Sequence, residues 1–179
     1  MSHGPLGGFA LPIIVGSLMG ALQFPPGDCE VRTNRDAATN DRLSTLTLML
    51  KGPKGPLPIN LSITTRYTAR GMGRGSPEVR LDFDLPLFVG SLDYKPPHAL
   101  LVFDKATTDE GSFTASVEPT AYMPGVSHFR ISADASVLAR FEKATTIEGR
   151  LFGVDFVLTP KQVQAVNAFA RQELRYGST

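Results

Sequence analysis

The chain has 179 residues, 42% of them hydrophobic and 20% charged, with a net charge of +1. That length and balance fit one globular domain with its own core and exclude a disordered chain. The near-zero charge carries no polyanion-binding signature, so nucleic acid is not an expected partner. The single cysteine, Cys29, excludes a disulfide within these residues and a cysteine-rich zinc site. As a nucleophile it would need a base and an electropositive setting, and the sequence places neither beside it. With 17 glycines, 14 prolines and no tryptophan, short elements joined by turns are favoured over long helices.

After MSHGPLGG, residues Phe9 to Phe24 read FALPIIVGSLMGALQF, a run of 16 residues without a charge. A spanning helix needs about 20 apolar residues, and Pro12, Gly16 and Gly20 weaken this one, so no transmembrane span is expected. The length suits the apolar core of a secretory signal, although no Lys or Arg precedes it and Asp28 before Cys29 departs from a lipoprotein box. Residues 1–26 therefore stand apart as a signal remnant, a buried segment or an assembly arm. Residues 27–179 read as a single domain.

From Arg42 onward the pattern has a period of two. Leu46, Leu48 and Leu50 share one face of RLSTLTLMLK. Leu57, Ile59, Leu61 and Ile63 alternate with Pro58, Asn60, Ser62 and Thr64. Val79, Leu81, Phe83 and Leu85 alternate with Arg80, Asp82 and Asp84. Such alternation puts one face on a core and the other toward water or polar partners. Ala99 to Phe103 reads as a strand covered on both faces. Phe113, Ala115 and Val117 alternate, as do Val137, Ala139 and Phe141. Ile147, Gly149 and Leu151, then Val154, Phe156 and Leu158, change parity at Phe152-Gly153, which marks a bulge or tight bend. With turn signals at 52–56, 95–97, 109–111 and 123–125, the expectation is a mainly β fold: an antiparallel β-sandwich of about eight or nine strands.

The period then changes. Thr159 as N-cap, Pro160 at the first helical position and Gln162 closing a capping box predict a helix over 159–176. Val163, Val166, Phe169, Ala170 and Leu174 form its apolar stripe, Arg171 and Arg175 suit its C-terminal end, and Gly177 can stop it. The strand–bend–strand–helix ending EGRLFGVDFVLTPKQVQAVNAFARQEL resembles the last part of small exported bacterial β-sandwich proteins, distantly those of the invasion-associated locus B type. The resemblance covers roughly the last forty residues and rests on the order of elements. It implies an exported sandwich, periplasmic or secreted rather than cytoplasmic, and carries over no functional residue.

The most distinctive polar stretch is RYTARGMGRGSPEVR, residues 66–80. Arg66, Arg70, Arg74 and Arg80 face only Glu78 in charge, and Gly71, Gly73 and Gly75 would let backbone N–H groups approach an anion. The spacing is neither a phosphate-binding loop nor a dinucleotide fingerprint. A mobile surface hairpin explains the same composition. Asp82 and Asp84 share a strand face about 7 Å apart, a separation that serves glycoside hydrolysis or a hard cation, or simply a solvated face. His98 and His128 lack a visible third partner for a metal. The four tyrosines are scattered without the basic–aromatic interleaving of a base-stacking strand. No catalytic residue, cofactor or metal is implied. The leading expectation is a non-enzymatic exported binding or accessory domain that meets a protein, glycan or small anion through loop 66–80. The alternatives are an assembly subunit packing through its apolar N-terminal segment, as a homo-oligomer, and a hydrolase using Asp82, Asp84 or His128.

Overall fold

The computed structural model describes residues 29–52, 55–69, 76–86, 98–105, 112–116, 118–123, 126–151 and 154–178. The apolar N-terminal segment, residues 1–26, lies outside them. The described residues form ten strands and two helices: β1 (Cys29–Arg35), β2 (Arg42–Gly52), β3 (Gly55–Tyr67), β4 (Glu78–Pro86), β5 (His98–Phe103), β6 (Ser112–Ser116), β7 (Glu118–Met123), β8 (Val126–Ala133), α1 (Ser136–Lys143), β9 (Ile147–Leu151), β10 (Val154–Val157) and α2 (Pro160–Ser178). Every strand pairing is antiparallel. The domain is thus mainly β, antiparallel and ended by a helix, as its alternation and capping box require.

The hydrogen-bonded path runs β6-β5-β9-β10-β2-β3-β4-β8-β7, with β1 also on β2. It is open, ending at β6 and β7. Along one edge of β2, β1 takes Arg42 to Leu48, while β10 takes Lys51 through the single pair Val157↔Lys51. The four strands β6, β5, β9 and β10 therefore join the β2 ladder through one residue pair.

Register turns the alternation into a core. Leu46, Ile63, Leu81 and Ile131 stand side by side across β2, β3, β4 and β8, and Leu48, Leu61, Phe83 and Phe129 form the next row. All eight are buried. Phe83 on β4 and Phe156 on β10 are three inter-strand steps apart, about 14 Å on a flat sheet. Their ring centroids lie 6.4 Å apart, so the sheet curls its apolar face inward.

Helix α2 covers that face with Val163, Val166, Phe169 and Ala170, all buried; each such Val or Phe is worth roughly 1.5–3 kcal/mol. Its start follows the capping box: the Thr159 N–H donates to Gln162 Oε1 at 2.9 Å, and the Gln162 N–H returns to Thr159 Oγ1 at 3.3 Å. Gln162 Nε2 also donates to the Met49 carbonyl at 2.6 Å, tying the cap to β2.

The far end of α2 is fastened by charge. Arg42 donates through Nη1 and Nη2 to Glu173 Oε2 and Oε1 at 2.8 and 2.9 Å, and Thr65 Oγ1 donates to Oε2 at 2.8 Å. The Arg42 side chain is 6% exposed and that of Glu173 0%. Tyr176 lies under the guanidinium, 3.9 Å from ring centroid to Cζ, and Tyr67 meets Tyr176 edge-on at 4.9 Å. The Tyr67 hydroxyl donates to the Glu173 carbonyl. Burial, reinforced by the Glu173 charge, pushes the Tyr67 phenol up to about 12.

Three strands, β1, β7 and β8, fall outside the alternating runs named above, and residues 137–141 depart from the strand expected there. Val137, Ala139 and Phe141 alternate like a strand, yet they lie in α1, where Val137, Leu138 and Phe141 are the buried set. That spacing of one and three is helical. Asp134 starts the turn, accepting the Ser136 N–H on its side chain at 2.8 Å and the Val137 N–H on its carbonyl at 3.0 Å. Asn167 of α2 then reaches the last carbonyls of this region, donating to Ala144 O at 3.1 Å and also to Phe141 O.

Candidate functional site

The face of β2, β3, β4 and β8 opposite the core carries the polar half of the alternation. Thr45 meets Thr64 at 3.1 Å and Thr47 meets Ser62 at 3.2 Å, each hydroxyl pair bridging β2 and β3. Ser62 is opposite Asp82, and Asn60 opposite Asp84, on β4. On the far side of β4, Asp82 is opposite Arg130 and Asp84 opposite His128.

These four side chains interlock. His128 Nδ1 contacts Asp84 Oδ1, and His128 Nε2 lies 3.4 Å from Asp82 Oδ1. Arg130 Nε donates to that same Asp82 oxygen at 2.7 Å. An imidazole therefore sits between two carboxylates, one of which a guanidinium also holds. Asp82 is nearly buried, with 12% of its side chain exposed, while Asp84 is 39% exposed and His128 27%. The graded exposure leaves the Asp84–His128 edge open to a ligand and makes Asp82 the pillar beneath it. The arrangement can donate to or accept from a polar ligand, and an oriented Asp–His pair is also the minimum of a general base. Among the described residues no group of three or more His, Cys, Asp or Glu is set to hold a metal ion.

The arginines singled out by sequence do not form one patch within the described residues. Arg66 is turned onto Asp41, donating from Nε at 2.9 Å and from Nη2 at 2.6 Å. Asp41 also accepts the Ala69 N–H at 2.9 Å. The Ala69 and Arg66 bonds hold its carboxyl below the usual carboxylate range. Arg66 thus anchors the root of the 66–80 connection. Arg80 lies on the polar face between Thr64 and Ser132. Its Nε is 3.6 Å from Glu78 Oε1, and that nitrogen is buried without a hydrogen-bond partner. Arg70 and Arg74 lie outside the described residues. Cys29 is buried at the start of β1. His98 opens β5 opposite Ser116, a different limb from His128.

Sequence reasoning pairs Asp82 with Asp84 on one strand face and names His128 beside them as a hydrolase alternative, but it misses Arg130. The available signal was the alternation of His128, Arg130 and Ser132 with Phe129 and Ile131, which marks β8 as a second half-buried strand. No protein-family model matches the chain, and no curated protein or solved structure matches it.

Proposed function

We propose that the chain is a non-enzymatic binding or accessory domain, exported from the cell, which receives an anion-bearing polar ligand on the outer face of β3, β4 and β8. The observation that carries this is the interlocked Asp82–His128–Asp84–Arg130 group standing on the sheet, with Arg80 two residues from Asp82 on the same face of β4. Preorganised charges of both signs, each held by another, suit recognition better than turnover, because a ligand then meets fixed donors and acceptors. The 66–80 connection runs from β3 to β4, and in this reading its Arg70 and Arg74 also contact the ligand. A sandwich-like packing of the two limbs is the architecture we attach to it, supported by the close approach of Phe83 and Phe156.

The test is titration of the chain with inorganic phosphate and with an array of acidic glycans. Arg70→Ala, Arg74→Ala and Arg130→Ala should each weaken binding, the first two with thermal stability kept within about 0.5 kcal/mol. Arg66 is left in place because its loss would unpair Asp41. Absence of binding to either probe, or binding that the three substitutions leave unchanged, would overturn the proposal. Export is read separately, from the intact mass of the protein made in its own host. Cleavage after the apolar segment supports it and an uncleaved chain in the cytoplasm opposes it.

The Asp84–His128 contact favours one second reading, a hydrolase with His128 as base. Turnover of ester or glycoside substrates that His128→Asn abolishes would replace the binding assignment with this one.

A further inference from the structure

Strand β1 has one edge on β2, and among the described residues no strand pairs with its other edge. An unpaired edge presents backbone donors and acceptors to any extended segment, and proteins usually blunt such edges with charges that repel a copy of themselves. The charges on β1 are of the opposite kind. Glu30 and Arg32 project on the polar side, with side chains 60% and 71% exposed, and they flank Val31, which packs against the core from the other side. Glu30 and Arg32 lie within 2.7 Å of one another. An exposed pair of this kind contributes little by itself and is readily exchanged.

We propose that β1 is a homodimer edge, pairing antiparallel with β1 of a second copy about a two-fold axis at Val31. The charge order selects this register. A two-fold axis through residue 31 sets Glu30 against Arg32 of the second copy and Arg32 against its Glu30, so two opposite-charge pairs form. Centring on Glu30 sets that carboxylate against itself, and centring on Arg32 does the same to the guanidinium. A shift by a single residue places the polar side of one strand on the core side of the other. Val31 then meets its own copy, and the sheet continues through both molecules with its apolar face unbroken. The contact is small, so the dimer forms at high concentration and weakens with salt. The inference is independent of the ligand-binding reading, because it uses β1, which pairs with β2 and with none of β3, β4 and β8.

Sedimentation of the full chain over a concentration series, at low and high salt, tests it. Glu30→Arg alone and Arg32→Glu alone each put like charges across both contacts and should weaken the dimer about tenfold. The double exchange Glu30→Arg with Arg32→Glu should restore it. In a Cys29→Ser background, Val31→Cys should cross-link two chains on mild oxidation, since residues facing across a two-fold strand pair lie within disulfide reach. Asn34→Cys in the same background should not. A monomer at all concentrations overturns the proposal, and would be the result if residues 1–28 cover this edge in their own chain. A dimer indifferent to the single reversals, or one that Asn34→Cys cross-links as readily as Val31→Cys, overturns it equally.

Discussion

Replacing Glu173 by alanine removes the acceptor for both terminal nitrogens of Arg42 and for the Thr65 hydroxyl, three hydrogen bonds of 2.8 to 2.9 Å. Arg42 cannot reach water to compensate, because its side chain is 6% exposed and Tyr176 lies against its guanidinium. Leaving one member of a buried pair alone costs about 3–5 kcal/mol. For a domain of this size each kcal/mol moves the midpoint by about 2–4 °C, so the drop is on the order of 10 °C. Removing both charges is a different perturbation: Arg42→Met with Glu173→Leu deletes the desolvation cost along with the attraction, and should return most of the stability. Urea unfolding followed by far-ultraviolet circular dichroism, for each single variant and the double, measures both effects. A loss below about 1 kcal/mol for Glu173→Ala, or a double variant no better than the worse single one, would refute the view that charge pairing fastens α2 to β2 and β3.

Two more predictions follow from the same packing. Tyr67 should titrate near pH 12 when followed by phenolate absorbance, with Tyr67→Phe assigning the signal. An unfolded tyrosine titrates near pH 10, so this group's share of the stability is intact below pH 10 and is lost as pH rises through 12. A Tyr67 signal at the ordinary value would contradict its burial. In β9, a Cβ on Gly149 would lie 2.3 Å from Phe156 Cζ, and the buried ring has no room to retreat. Gly149→Ala should therefore destabilise by about 1–3 kcal/mol in thermal unfolding. Adding Phe156→Leu should recover part of it, and an unchanged midpoint would show that the strands separate freely.

The elements legible in the sequence are those whose signal is local. Thr159, Pro160 and Gln162 announce α2 because a capping box is made by neighbours, and the same three residues make it in the structure. Leu46 to Leu50, Ile59 to Ile63 and Val79 to Phe83 announce strands because one face of each is uniformly apolar. By contrast, the spacing in Val137-Leu-Ala-Arg-Phe141 fits a strand and a helix alike, and only the burial of Leu138 decides between them. For the site, the residue types were visible but their company was not. Asp84 and His128 are 44 positions apart and meet only through the register of β4 on β8. Arg66 reads as an available cation until β3 and the turn before β2 bring Asp41 beneath it. Glu173 reads as a surface residue of a polar helix end until Arg42 arrives from 131 positions away.

That last separation bears on how the molecule is made. Synthesis runs from the first residue to the last, so β2 and β3 emerge with Leu46, Leu48, Ile59 and Leu61 bare while the helix that covers them is still unbuilt. Closing a contact across so long a stretch of chain is slow, and a naked apolar sheet is prone to stick to its neighbours meanwhile. Until Glu173 is added and released, Arg42 on β2 has no carboxylate to meet. The final turns of α2 thus set the moment at which the apolar face of β2 and β3 gains its cover.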